Sequence, residues 1–227
     1  MEEPTKLDGP NSMTLQRRDI TRELRLMVIT DGHLARPYEI SEVVEAALVG
    51  GAKAIQLRNK GDSANELLEA GRQLRHLTET HGALLLVNDR LDVALAIGAD
   101  GLHLGPEDPP VEEVRKLVSD DFIIGFSADD PESAHSAVTQ GANYIGCGTI
   151  YPTSTKLDAG NVIGISGLAS VIDAVNVPVI GIGGITDDRI PEVLAAGAAG
   201  VAVVGAIMTA PDPLQATCSM LTALDTR

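Results

Sequence analysis

The sequence predicts an α/β protein folded as a single (β/α)₈ barrel, and three observations predict it. Eight short apolar runs of strand length are spaced along the chain, most of them separated by segments of helical period. The core must be aliphatic, because Ala, Val, Ile, Leu and Gly dominate while there are three Tyr, two Phe and no Trp, as parallel strands covered by helices require. With 227 residues, 44% of them hydrophobic, and no internal linker, the chain suits one complete core.

The first run is Leu24–Thr30, followed by a helical segment over Ile40–Val49 and a second run at Ala54–Arg58. A long helical segment, Asn65–Thr80, leads to the third run at Leu84–Asn88, and a shorter one at Asp92–Ile97 leads to the fourth at Gly101–Leu104. Runs five to eight follow at Phe122–Phe126, Tyr144–Cys147, Val179–Ile182 and Gly200–Val204. Gly50-Gly51-Ala52, Gly98-Ala99-Asp100, Gly141-Ala142-Asn143 and Gly197-Ala198-Ala199 each precede an even-numbered strand. A glycine just past a helix accepts the left-handed conformation, so these mark helix ends rather than chemistry. Alternating strands and helices, eight of each with right-handed crossovers, close into a barrel. An open doubly wound sheet is the alternative; no G-x-G-x-x-G follows the first strand to support it.

The formal net charge of -15, from 32 acidic and 17 basic residues, gives no electrostatic footprint for nucleic acid or an anionic membrane. Neither is expected as a partner. Any anion pocket must then be locally positive within a negative protein, so each Lys or Arg near a strand end carries weight. Cys147 and Cys218 have neither zinc-ligand spacing nor a disulfide framework; they read as small core residues of a reduced, cytoplasmic protein whose metal, if any, is bound by oxygen. Residues 1–22 read as a polar extension, with a frayed helix around Met13 to Thr21 as one reading, and residues 23–227 as the catalytic barrel. The extension lacks the apolar core of a signal peptide, and no run reaches the ~20 apolar residues that span a bilayer.

In such a barrel the chemistry gathers at the carboxyl ends of the strands. The second run ends in Gln56-Leu57-Arg58-Asn59-Lys60, where a two-residue period turns Gln56, Arg58 and Lys60 to one side. Asn88-Asp89 closes the third, and Asp108 follows His103-Leu104-Gly105 at the end of the fourth. Either aspartate alone is more often a helix cap or a surface charge. Together, on adjacent loops, they can hold one Mg²⁺ while waters and phosphate oxygens complete an octahedron. His103 reads as a satisfied core or rim histidine. Ser127 suits either a hydroxyl contact to phosphate or a cap on the next helix, and Asp129 and Asp130 read as residues that lead into that helix. The stretch from Gly148 to Gly164 reads as a lid with Thr153, Thr155 and Lys156 at its polar tip, and Gly183-Gly184 and Gly205 fall where barrels cradle a phosphate with backbone N–H groups.

Assembled in order, these residues resemble the thiamine-phosphate synthase (thiamine-phosphate pyrophosphorylase) family, from about Leu24 to Pro213. The likeness rests on Gln56-Leu57-Arg58-Asn59-Lys60, Val87-Asn88-Asp89-Arg90, Ala99 to Gly105, Gly148 to Lys156, Gly181-Ile182-Gly183-Gly184-Ile185 and Val201-Ala202-Val203-Val204. The resemblance implies a transferase joining a hydroxymethylpyrimidine diphosphate to a thiazole phosphate, giving thiamine phosphate and pyrophosphate with Mg²⁺ as cofactor. It implies Gln56, Leu57, Arg58, Asn59, Lys60, Asn88, Ser127 and Lys156 around the pyrimidine diphosphate. Thr153, Ser154, Thr155, Gly184, Val204 and Gly205 would line the thiazole phosphate site. It implies Asp89 and Asp108 as metal ligands, and Arg58, Lys60 and Lys156 as the cations that stabilise the leaving diphosphate. Because the thiazole nitrogen already owns its lone pair, no protein nucleophile is needed, in keeping with the missing Cys-His or Ser-His constellation.

Three positions depart from the family pattern. Pro106 stands where glutamine is frequent, Asp129 where histidine is, and Gly205 where serine is. The competing readings are a thiazole tautomerase of the same superfamily, which would want a base near strand five, and a non-catalytic thiamine-phosphate-binding regulator, which would need no pair of metal carboxylates. The retained Asp89 and Asp108 favour the synthase. Nothing in the sequence sets an oligomeric state.

Overall fold

A computed structural model describes residues 19–59, 61–153 and 161–225. Eight strands, β1 Leu26–Ile29, β2 Ala54–Leu57, β3 Leu84–Asn88, β4 Gly101–Leu104, β5 Ile123–Ser127, β6 Tyr144–Cys147, β7 Val179–Ile182 and β8 Gly200–Val203, pair in chain order and close into a barrel. Every pairing is parallel, and β8 returns to β1 with Leu26 beside Val201 and Val28 beside Val203. The expected (β/α)₈ barrel is the observed fold.

Four strands, β3, β4, β6 and β7, have the bounds that their apolar runs predict. β5 is displaced by one residue: Phe122 stays outside the ladder and Ser127 pairs with Gly146. The first run is shorter than predicted because Leu24 closes α1 (Ile20–Glu23), with Asp19 as its N-cap. Leu24 is fully buried and Ile20 packs beside it on the floor of the barrel interior, so residues 19–22, expected in a polar leader, are part of the folded unit. The remainder of that leader lies outside the described residues.

Between the strands run α2 Ile40–Val49, α3 Ala64–His81, α4 Leu91–Ala96, α5 Val111–Arg115, α6 Pro131–Thr139, α7 Gly164–Ala174 and α8 Ile190–Ala195. After β8 the chain makes α9 (Gly205–Met208), an extra turn that a simple alternation does not predict, before α10 (Pro213–Asp225) packs against α2 and closes the outer ring. Gly51, Gly98, Gly141 and Gly197 all have positive φ, as expected of helix-ending glycines. Among the described residues no helix is long and apolar enough to cross a membrane.

Strand parity sorts the core into two layers. Met27, Ile29, Ala54, Leu84, Leu86, Ile123, Tyr144, Ile180 and Ala202 fill the barrel interior, whereas their neighbours Val28, Ile55, Leu57, Leu85, Val87, Ile124, Ile145 and Val201 face the helices. The Tyr144 ring is accommodated by the absence of a side chain on β5: a Cβ at Gly125 would stand 2.1 Å from Tyr144 Cζ.

Two of the Gly-Ala-x turns on the opposite, N-terminal face do matching work. Asp100 accepts from the Leu85 N–H at 2.8 Å and from Arg75 Nη1 at 2.7 Å, while Asn143 accepts from the Ile124 N–H at 2.8 Å and from Arg115 Nη2 at 2.7 Å. Each ties the helix before a strand to that strand's first residues, which fastens the barrel's base.

Candidate active site

A cavity of about 1160 Å³ opens at the carboxyl ends of the strands, bounded by Gln56 and Arg58, Asn88, His103, Ser127, Ile182 and Val204. These are the inward-parity residues of successive strands and the residues just beyond them, which is why one face of the fold collects them. Asp108, Thr153, Gly184 and Gly205 also line it. Leu57 does not: it is buried in the outer layer, where its Cδ2 would meet a Cβ on Gly71 at 3.3 Å. Asn59 is likewise turned from the cavity, accepting from the Gly32 N–H at 3.0 Å and donating to Asp62. Any contact from Leu57 to a ligand is therefore left to its backbone. Lys60, Ser154, Thr155 and Lys156 lie outside the described residues.

Arg58 is set at the rim by Thr30, a buried residue whose hydroxyl accepts from the Arg58 N–H at 2.9 Å and donates to the Arg58 carbonyl at 3.0 Å. Asp89 sits at the end of β3 with φ of 54°, a left-handed conformation that Asp tolerates better than most residues. Its carboxylate accepts from Asn88 Nδ2 at 2.7 Å, and Asp108 accepts from the Gly105 N–H at 2.6 Å. The Asp89 residue is exposed, yet its carboxyl is partly shielded by the strand ends. That shielding first, and the charge of Asp108 second, raise its pKa above the ordinary carboxyl value, while Asn88, Arg90 and Arg58 pull the other way. Asp108 lines the cavity and Asp89, at the neighbouring strand end, does not, yet the two charges repel.

Ser127 does not cap α6; Asp130 does, accepting from the Ser133 N–H at 2.9 Å. Ser127 Oγ is instead 2.9 Å from His103 Nε2, and His103 Nδ1 is 2.8 Å from Tyr144 Oη, so the satisfied histidine expected from the sequence is a link between β5 and β6. Asp129, expected to lead into α6, faces the cavity and accepts from the Gly148 N–H at 3.3 Å. Cys147 is buried among apolar residues, and that burial, with Asp129 nearby, pushes its thiol up to about 12.

On the far side of the cavity the loop after β6 is held against the loop after β7. Tyr151 N–H donates to the Gly183 carbonyl at 3.0 Å, and Ile163 N–H donates to the Thr149 carbonyl at 2.9 Å, which closes the base of the stretch expected to act as a lid. Gly183 and Gly184 have φ of 98° and 63°, and a Cβ on Gly184 would stand 2.7 Å from the Pro152 carbonyl oxygen. Arg189, which no motif or strand-end position singles out, lies 4.5 Å over the Tyr151 ring, donates to the Gly184 carbonyl and lines the cavity.

Comparison with known proteins identifies the family. The family model described as thiamine monophosphate synthase matches residues 26–207. The chain is similar to the thiamine-phosphate synthase of Moorella thermoacetica, at 50% identity over 75% of this chain and 81% of that protein. It is similar to that of Pyrococcus furiosus, at 47% identity over 88% of this chain and 94% of that protein. Among solved structures it resembles the thiamine phosphate pyrophosphorylase from Pyrococcus furiosus, with a TM-score of 0.84, 43% identity and coverage of 91% of this chain and 98% of that one. A 3-hexulose-6-phosphate synthase, at 18% identity and a TM-score of 0.64, shares the fold alone. On the family match and these relatives together, the chain belongs to the thiamine monophosphate synthase family, a family of transferases.

Proposed function

We propose that the protein joins a hydroxymethylpyrimidine diphosphate to a thiazole phosphate, releasing pyrophosphate and forming thiamine phosphate, with Mg²⁺ bound between Asp89 and Asp108. The observation that carries the reading is the arrangement at the mouth of the barrel: Arg58 and Asp108 line one side of the cavity, with Asp89 at the end of β3 within reach of the Asp108 charge, and the glycine-lined loops after β7 and β8 form the other side. One side suits a metal diphosphate and the other a phosphate monoester.

The donor set fits a hard divalent cation, because two carboxylates on adjacent loops gain from a shared positive charge and leave room for water and phosphate oxygens. When bound, Mg²⁺ would offset the charge of the diphosphate and of the departing pyrophosphate. Arg58, with Lys60 and Lys156 contributed by segments outside the described residues, would hold the diphosphate oxygens, and Asn88 and Ser127 would donate to the same half. Gln56 lies deeper, 2% exposed, where it can meet the pyrimidine edge. Thr153, Ser154, Thr155, Gly184, Val204 and Gly205 would receive the thiazole phosphate, with Arg189 an added cation beside Gly184.

Departure of pyrophosphate from the pyrimidine methylene leaves a cation that the ring amino group stabilises, and the thiazole nitrogen attacks it with its own lone pair. The protein then needs to orient two rings, exclude water and stabilise the leaving group, which is positioning and electrostatics rather than covalent catalysis. Incubating purified protein with both phosphorylated halves and Mg²⁺, then quantifying thiamine phosphate, tests this. Product that requires both halves supports it; conversion of a thiazole phosphate alone, or no turnover, rejects it.

A further inference from the structure

Inside the barrel a line of polar side chains runs from β6 through β4 to β5, and the proposed chemistry gives its first two members, Tyr144 and His103, no role. Gln56, Tyr144 and His103 are buried, and Ser127 stands at the end of the line on the cavity wall. Tyr144 Oη is 2.8 Å from His103 Nδ1, and His103 Nε2 is 2.9 Å from Ser127 Oγ.

The polarity of the line follows from its inner end. Gln56 Nε2 is 3.4 Å from Met27 Sδ, and a thioether only accepts, so the amide nitrogen belongs on that side. The Tyr144 phenol is fully buried, and that burial raises its pKa far above its ordinary value. Tyr144 therefore stays protonated, and its buried hydroxyl hydrogen needs an acceptor, for which His103 Nδ1 at 2.8 Å is its hydrogen-bond partner. His103 Nδ1 takes it. A neutral imidazole that accepts at Nδ1 carries its proton on Nε2, and a charged ring would be costly in this largely apolar interior. Nε2–H then donates to Ser127 Oγ, and the serine hydrogen is directed onward into the cavity.

We propose that Tyr144 and His103 are positioning residues that commit the Ser127 hydroxyl to donating toward an anionic ligand oxygen in the cavity. With the opposite polarity Ser127 would donate to His103 and present only lone pairs to a diphosphate, which is repulsive. Gly125 is part of the device, since its missing side chain is what lets the Tyr144 ring reach across β5 to His103. The proposal rests on the diphosphate reading of the site, but the ring tautomer is a property of the unliganded protein.

Two measurements test it. Long-range proton-nitrogen NMR of ¹⁵N-histidine-labelled protein, with His103 assigned by His103→Gln, should show a neutral ring protonated at Nε2 in the wild type. The Tyr144→Phe variant, which keeps the ring volume, should show a redistributed proton. Calorimetric titration with Mg²⁺-pyrophosphate should show affinity falling roughly tenfold or more in Tyr144→Phe and in Ser127→Ala, the scale of one hydrogen bond to a charged group. The double variant should be no worse than Ser127→Ala, and His103→Gln, which retains a donor, should bind better than His103→Leu. A wild-type ring protonated at Nδ1, or independent losses that add in the double variant, overturns the relay. Failure of the wild type to bind pyrophosphate, with the Nε2 tautomer present, overturns both the anion-directed role and the assignment of this cavity to a diphosphate. Wild-type binding unchanged by Tyr144→Phe overturns the relay while leaving that assignment standing.

Discussion

Shielded by the strand ends, the Asp89 carboxyl has a raised pKa, and the charge of Asp108 on the neighbouring loop after β4 raises it further. A carboxyl with a raised folded-state pKa is one whose ionised form the fold disfavours. Its unfavourable contribution is present above that pKa and is relieved as pH falls through it. Asn also tolerates the left-handed backbone of residue 89. In chelator at neutral pH, Asp89→Asn should therefore melt at or above the wild-type temperature. Added Mg²⁺ with pyrophosphate should reverse the order, because only the wild type gains by binding. Scanning calorimetry of both proteins, with and without metal, checks it; a variant that melts lower in chelator contradicts the repulsion.

The floor of the barrel should matter to stability and not to chemistry. Removing the Asp100 carboxylate leaves the Leu85 N–H without that acceptor and takes from Arg75, whose side chain is only 12% exposed, the shorter of its ion pairs, leaving the exposed Glu79 at 3.2 Å. Asp100→Ala should cost roughly 2 to 3 kcal/mol in urea unfolding, the scale of a hydrogen bond to a charged group plus an unpaired donor. Turnover per folded molecule should be unchanged.

Gly125→Ala should be among the more damaging single-methyl changes in the chain. Its Cβ would fall 2.1 Å from Tyr144 Cζ and 2.4 Å from Tyr144 Oη, so the ring must move and its bond to His103 must break. A loss of about 1 to 3 kcal/mol is the usual scale of overpacking, and a denaturation midpoint measures it.

Gly184→Ala should act on the second substrate. A Cβ there meets the Pro152 and Tyr151 carbonyl oxygens at 2.7 and 2.8 Å on a backbone of φ 63°, so the loops after β6 and β7 must part. Steady-state kinetics should show the KM for the thiazole phosphate rising by roughly tenfold or more while the KM for the pyrimidine diphosphate changes little. Equal effects on both would place the thiazole phosphate elsewhere.

The barrel was legible because each strand is a short apolar run closed by glycine or by polar residues, and the cavity residues were legible because parity at strand ends is a two-residue rule. That rule also explains what was not legible. Leu57 carries the outward parity between Gln56 and Arg58, so membership of a motif did not give it a side chain in the cavity. Tyr144 reads as core in a linear sequence, and only the opposed strands reveal that Gly125 makes room for it. The turn of α9 and the stacking of Arg189 on Tyr151 depend on contacts between loops far apart in the chain, which leave no periodic trace. Asp129 and Asp130 look alike in the sequence as helix-entry residues, but Asp130 takes the cap because its carboxylate reaches the Ser133 N–H, leaving Asp129 to the cavity.

The central claim is that two phosphorylated halves meet in this cavity and are joined with loss of pyrophosphate. A single-turnover experiment, with enzyme in excess over the pyrimidine diphosphate, saturating thiazole phosphate and Mg²⁺, measures thiamine phosphate and pyrophosphate together over time. The account predicts equimolar formation of both, abolished by chelator and strongly slowed in Asp108→Asn. Pyrophosphate release without thiamine phosphate at any time, or product formed at an undiminished rate in chelator, would contradict it.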